Sequence, residues 1–236
     1  MRVISTLLLA AGLIASASPV CAQEVNWQNV DEAFGRKAAV VAGDVHRYGF
    51  PRTDLKVTLD GVMIKPALAL GGWVALKPMG GQVMAMGDLV LLQTEINPVM
   101  TKLMENGVEI TAVHNHLLRS DPATFYMHVS GVGDAVKMAA ALRSGLAESK
   151  TPLAAPAPDG APGAIDLDTT QLDRIIGVKG QANGCVYQFG VPRRDPVTED
   201  GIDARPGRSL SSRVSARRLS RPSIRHRPQL AATATK

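Results

Sequence analysis

The sequence predicts an α+β fold, a mainly antiparallel sheet with helices on one face. Three observations carry this. From residue 82 onward the hydrophobic periods run β-α-β-β-α. Asp60-Gly61 and Pro78-Met79-Gly80-Gly81 are hairpin turn signals between strand-like runs. Hydrophobic residues make up 45% of the 236 and aromatics only 4%, so a core is available but rests on Val, Leu, Ile, Met and Ala.

In chain order, residues 31–35 read as a short helix. Val41 to Phe50 and Leu55 to Leu59 alternate like strands, broken by Pro51-Arg52. Ala67 to Leu76 and Gln82 to Leu92 read as further strands. Thr94 is the expected cap of a helix whose Ile96, Val99, Met100 and Leu103 form one apolar stripe. Pro98 falls in its first turn, where a missing N–H costs little, and Asn106-Gly107 ends it. Val108 to Leu117 reads as a strand, Ser120-Asp121-Pro122 as a turn, and Thr124 to Val129 as a strand. Asp134 starts a last helix through Leu146, with Gly145 a weak spot.

The amino end, residues 1–22, reads as a signal peptide. Arg2 supplies the positive region, Val3 to Ala15 the apolar run, and Val20 and Ala22 the positions before cleavage at Gln23. The run is too short to span a bilayer, and no second long apolar run follows. The expectation is a periplasmic or extracellular protein without a transmembrane segment. Lipid anchoring at Cys21 is not favoured, because Val20 and Ser18 stand where a small residue and a Leu-like residue are wanted. Cys185 is then the one remaining thiol, which rules out an internal disulfide in the mature chain.

The formal charge of +5 is unevenly spread. Residues 203–236 hold eight Arg and one Lys against one acid, Asp203. Residues 23–202 hold 16 basic and 20 acidic side chains. A basic tail on an acidic body gives no reason to expect a nucleic-acid partner.

Residues 30–61 and 172–201 match in order and spacing. Asp31, Phe34-Gly35 and the run from Gly43 to Arg52 correspond to Asp173, Ile176-Gly177 and the run from Gly184 to Arg193. The expected organisation is a complete module over 23–150, a Pro/Ala linker over 151–164, an incomplete second copy over 165–202, and a disordered basic tail over 203–236. The tail reads either as a natural basic arm or as the product of a reading-frame shift.

The sharpest chemistry is Val113-His114-Asn115-His116, followed by His128. Positions two apart on a strand share a face, so His114 and His116 point together. If His116 lies opposite Tyr126, His114 lies opposite His128, and three imidazoles converge with Tyr126 beside them. His114, His116 and His128 are therefore candidate ligands for a divalent metal, zinc or similar. Solvated histidines on an exposed sheet face are the plainer reading, and no His-Glu-x-x-His spacing accompanies them. Glu95 complements the dipole of its helix and is otherwise a neighbour of the patch. Glu109 falls on the face opposite His114. His46 corresponds to Tyr187, which reads as a packing site. Arg52 reads as a carbonyl cap or an anion holder. Gly87-Asp88 reads as a bulge or turn. Nucleophile triads, phosphate loops and dinucleotide fingerprints are absent.

Gly87-Asp88-Leu89-Val90-Leu91, Glu95-Ile96-Asn97-Pro98-Val99, Gly107 to His116, Met127-His128 and Phe50 to Leu55 resemble the LppY/LpqO family. The resemblance implies an exported bacterial domain, often lipid-anchored and often in two tandem copies. It implies no reaction. Three readings follow: an exported module binding a metal, small molecule or cell-envelope ligand at the histidines; a metal-dependent hydrolase using the same histidines; and an envelope interaction protein without site chemistry.

Overall fold

Helix α1, Trp27–Phe34, begins where the Asn26 side chain accepts from the Asn29 N–H and stops at Gly35, which is left-handed with φ 70°. That conformation suits glycine because it has no Cβ to clash. The computed structural model describes residues 24–154 and 165–192, with short strands at 198–199, 202–203, 211–218 and 230–234. The expected signal peptide and linker residues 155–164 lie outside the described residues.

Where one strand was expected over 41–50, two form: β1, Ala39–Val41, and β2, Val45–Pro51. Gly43 and Asp44 turn between them, both at positive φ. A small hairpin follows, β3 Thr58–Leu59 and β4 Val62–Met63. The short helix α2, Pro66–Ala69, replaces the start of the strand expected at Ala67. Pro66 at its first position presets the helical φ, a local effect that outweighs the apolar alternation. Strands β5, Gly71–Met79, and β6, Gln82–Leu92, are joined by Gly80 and Gly81 at φ 56° and 93°, as a primed two-residue hairpin demands.

Helix α3, Gln93–Glu105, leaves β6 without a loop. Thr94 is therefore inside it and not the cap, and Pro98 is its sixth residue. Strand β7, Glu109–His114, short β8, Ser120–Asp121, and β9, Thr124–Gly133, precede helix α4, Ala135–Ala147. Asp134 caps α4 by accepting from the Lys137 N–H at 2.9 Å.

The main sheet runs β1-β2-β5-β6-β9-β7, with every neighbouring pair antiparallel. Helices α1, α3 and α4 pack on one face, so the chain is α+β as the periodicities predict. Val30, Phe34, Leu89, Leu103, Met127 and Leu142 are fully buried between helices and sheet. Each such side chain contributes about 1.5–3 kcal/mol of transfer free energy. Gly145 is no weak spot in α4: a Cβ there would lie 2.4 Å from Leu103 Cδ2, so glycine is what lets α3 and α4 approach. Gly87 and Asp88 sit in regular strand pairing, not in a bulge. A Cβ on Gly87 would lie 2.9 Å from the Trp73 carbonyl oxygen and from Val129 Cγ2.

Beyond residue 164 come α5, Thr169–Ile176, β10, Gln181–Asn183, and β11, Val186–Pro192. Strands β12, Thr198–Glu199, and β13, Ile202–Asp203, pair with each other. Strands β14, Ser211–Arg218, and β15, Leu230–Ala234, extend β10-β11 into a four-stranded sheet. Residues 203–236, expected to be disordered for want of apolar periodicity, thus contain two described strands. Backbone pairing on the β11 edge needs no apolar stripe. The second segment also touches the first module. Val186 is fully buried in a second cluster with Val57, Ile64, Leu68, Val90 and Tyr126, and Gln188 Nε2 donates to the Ala67 carbonyl at 2.9 Å. Among the described residues no helix is long and apolar enough to cross a membrane.

Candidate functional site

The sheet face opposite the helices carries the histidines. Cross-strand partners point to the same face, and His128 pairs with Asp88 while Tyr126 pairs with Val90. The alternate residues Leu89 and Met127 point into the helical core. On the outer edge β7 pairs with β9 as His114 with Tyr126 and Ala112 with His128. The expected register, His116 opposite Tyr126, is therefore displaced by two residues. A shift of two preserves parity, so the rings still converge.

His114 Nε2 and His128 Nε2 are 3.0 Å apart. The His116 ring meets His114 edge-on, with centroids 4.6 Å apart, and meets Tyr126 edge-on at 4.2 Å. β7 ends at His114, so His116 reaches the patch from the loop that follows and not from a strand. The Tyr126 hydroxyl donates to the Ala69 carbonyl at 2.6 Å, which ties the patch to α2.

A β-bulge between Ile110 and Ala112 changes the parity of β7. Glu109, expected on the far face, consequently pairs with Ser130 and shares the face of His114, exposed at its rim.

Sequence reasoning missed Asp88. Its side chain is 18% exposed, its Oδ1 lies 3.7 Å from His128 Nε2, and that oxygen has no hydrogen-bond partner among the described residues. Burial pushes its carboxyl up to about 7, against a lowering pull from Arg47. Trp73, the cross-strand partner of Asp88 on β5, has the Arg47 guanidinium 4.8 Å from its ring centroid. The only signal in the sequence was a lone acid inside an apolar strand. His116 Nε2 is likewise buried without a hydrogen-bond partner. Burial first, then repulsion from His114 and His128, holds His116 below the usual imidazole value. Burial and His114 do the same to His128. Among the described residues no group of three or more His, Cys, Asp or Glu side chains is arranged to hold a metal ion.

Residues 28–148 match the family described as Domain of Unknown Function (DUF1259), over just more than half of the chain. The chain belongs to this family. No curated protein and no solved structure matches it. The family region contains every residue of the patch, and the segment from α5 onward lies outside it.

Within the family region Glu95 serves a different site. Its carboxylate receives Arg52 Nη1 at 2.7 Å and Nη2 at 3.1 Å, the Leu92 N–H at 2.8 Å and the Lys150 N–H at 2.9 Å. Its oxygens are thus engaged away from the histidines. The dipole reading is the closer one, since Leu92 is the residue that caps α3. Arg52, fully buried, also binds Asp54 and donates to the Val90 carbonyl at 2.8 Å. It is a buried ionic clamp as well as the expected carbonyl cap. Burial alone would push Glu95 up, but Arg52 and the two backbone donors outweigh it and hold the carboxyl below its usual value. His46 stacks on Trp27 with centroids 3.3 Å apart, in the packing role expected of it.

Proposed function

We propose that this chain is an exported cell-envelope protein of LppY/LpqO type, with one complete module and part of a second, and that the complete module binds a divalent metal, zinc or similar, through His114, His116 and His128. The amino-terminal charge and apolar run support export. The metal reading is carried by one observation, the 3.0 Å separation of His114 Nε2 and His128 Nε2 with a third imidazole beside them. Two nitrogens bound to one ion at about 2.0–2.1 Å each sit roughly 3.0–3.4 Å apart. His114, His116 and His128 would hold the ion, and the His116 ring would turn about its side-chain bonds to reach it.

Zinc titration of the full chain by calorimetry tests the reading. One zinc ion per chain is expected, with affinity at least about tenfold weaker in each of His114→Ala, His116→Ala and His128→Ala. Imidazoles must be neutral to bind, and His116 and His128 are held below the usual value. Binding therefore persists below about pH 6.5 and fades only as the pH falls further. No heat of binding at neutral pH, or equal affinity in the triple variant, overturns it. Export is checked separately, by finding a chain that begins near Gln23 outside the cytoplasm.

A further inference from the structure

We infer that the second copy supports the histidine site of the first: Val186 and Gln188 on β11 hold α2, and through α2 they set the position of His116. Only the choice of these histidines as the site rests on the reading above. The three are not held alike. His114 ends β7 and His128 lies within β9, so ladder pairing fixes both backbones. His116 stands in the loop beyond β7, outside the β7–β9 ladder. Its place must come from packing. Its ring meets Tyr126 edge-on with centroids 4.2 Å apart, and the residue after it, Leu117, is buried. Leu117 and Tyr126 belong to one apolar cluster with Val57, Leu68, Val90 and Val186.

Val186 comes from outside the family region. It is fully buried, and every other buried member of that cluster belongs to the complete module. β11 divides by parity. Val186 and Gln188 turn to the complete module, while Tyr187 and Phe189 on the alternate face meet each other edge-on at 5.1 Å. Helix α2 joins the two copies. A helix leaves its last carbonyls without partners of their own inside it. In α2 the Ala67 carbonyl accepts from Gln188 Nε2 at 2.9 Å and the Ala69 carbonyl from the Tyr126 hydroxyl at 2.6 Å. One side chain from each copy thus anchors the same short helix, and Leu68 between the two carbonyls shares the cluster with Val186. Tyr126 carries that constraint on to the His116 ring. Val186 and Gln188 are positioning residues for His116 and leave the His114–His128 pair to the sheet.

The alternative is a second copy that leans on a module whose histidines are set without it. Full-length Val186→Ala, Val186→Ile and Gln188→Ala are compared with the wild type by proton magnetic resonance in metal-free buffer. Three readings are taken: the cross-ring contact of His116 with Tyr126, that of His114 with His128, and exchange of the Leu70 amide, which donates to the Pro66 carbonyl across α2 at 2.9 Å. In Val186→Ala the His116–Tyr126 contact is expected to be lost and the Leu70 amide to exchange at least about tenfold faster. The His114–His128 contact is expected to stay, and Val186→Ile to restore the other two. If the His116–Tyr126 contact survives in Val186→Ala, or both ring contacts vanish together, the proposal is overturned. Should Val186→Ala fail to fold, Gln188→Ala decides by the same readings, since it removes only the bond to the Ala67 carbonyl. No reading involves metal, so failure to bind zinc and failure of this coupling are separate results.

Discussion

Residues 27–51 and 169–192 build the same three elements, yet only the first has its helix buried. Helices α1 and α5 each end at a left-handed glycine, Gly35 at φ 70° and Gly177 at φ 80°. In the first, Asp31 Oδ1 accepts from the Ala38 N–H at 3.2 Å and the Tyr48 hydroxyl at 2.8 Å. In the second, Asp173 Oδ1 accepts from the Gly180 N–H at 2.9 Å and the Tyr187 hydroxyl at 2.8 Å. The tyrosines occupy different strand positions, since Tyr187 corresponds to His46 and Phe189 to Tyr48. Two positions apart on a strand is the same face, so the contact survives the exchange. What differs is the cover. Val30 and Phe34 are fully buried and α1 packs on α4, whereas α5 buries none of its residues and Ile175 is 70% exposed. Local sequence suffices for the helix, cap and hairpin. Burial needs a partner helix from elsewhere in the chain.

The sharpest way to break this comparison is to truncate equivalent apolar faces. Phe34→Ala is expected to cost about 3–5 kcal/mol in urea unfolding, because it opens a cavity under α4. Ile176→Ala, at the position equivalent to Phe34 and 41% exposed, is expected to stay within about 0.5 kcal/mol, as an exposed site does. Equal costs would mean that α5 is covered in solution.

Next in size is the Arg52–Glu95 pair of the first module. Glu95→Ala is expected to cost about 3 kcal/mol, the low end for a broken buried pair because Asp54 still balances Arg52. The pair also predicts a pH dependence. Glu95 is held below its usual value when folded, against about 4.3 when unfolded. Its contribution is complete above that unfolded value and is lost as the pH falls through the lower folded one. Glu95→Gln should flatten this acid limb in a series of melts from pH 7 to pH 2, and an unchanged limb would assign acid sensitivity to other carboxyls.

The smallest effect sharpens the contrast at the caps. Gly177→Ala pays only the left-handed backbone penalty, about 1 kcal/mol, since nothing lies within 4 Å of the added methyl. Gly35→Ala should cost about 2 kcal/mol, because the methyl also meets Arg143 Nη1 at 2.3 Å and must displace that flexible side chain. Hydrogen exchange of the α1 and α5 amides reads both locally.

Much of this molecule was legible residue by residue. The alternation of 82–92, the stripe from Ile96 to Leu103, the Asp134 cap and the Asp-Gly and Gly-Gly turns each depend on neighbours within about one turn of chain, so periodicity and turn chemistry suffice for them. Strand parity put His114 on the face of His116, and an even register shift kept His128 on that face too. Other features needed the assembled sheet. A two-residue shift put His114 opposite Tyr126, and a bulge at Thr111 turned Glu109 to the histidine face. Glu95 was drawn to Arg52, 43 residues earlier in the chain. Asp88 met His128 across 40 residues. Outside the β7 bulge, sequence determined which way each side chain faces on its own strand or helix. Tertiary structure decided which strands lie side by side and in what register, because pairing energy depends on the whole sheet closing over one core and not on any residue's immediate neighbours.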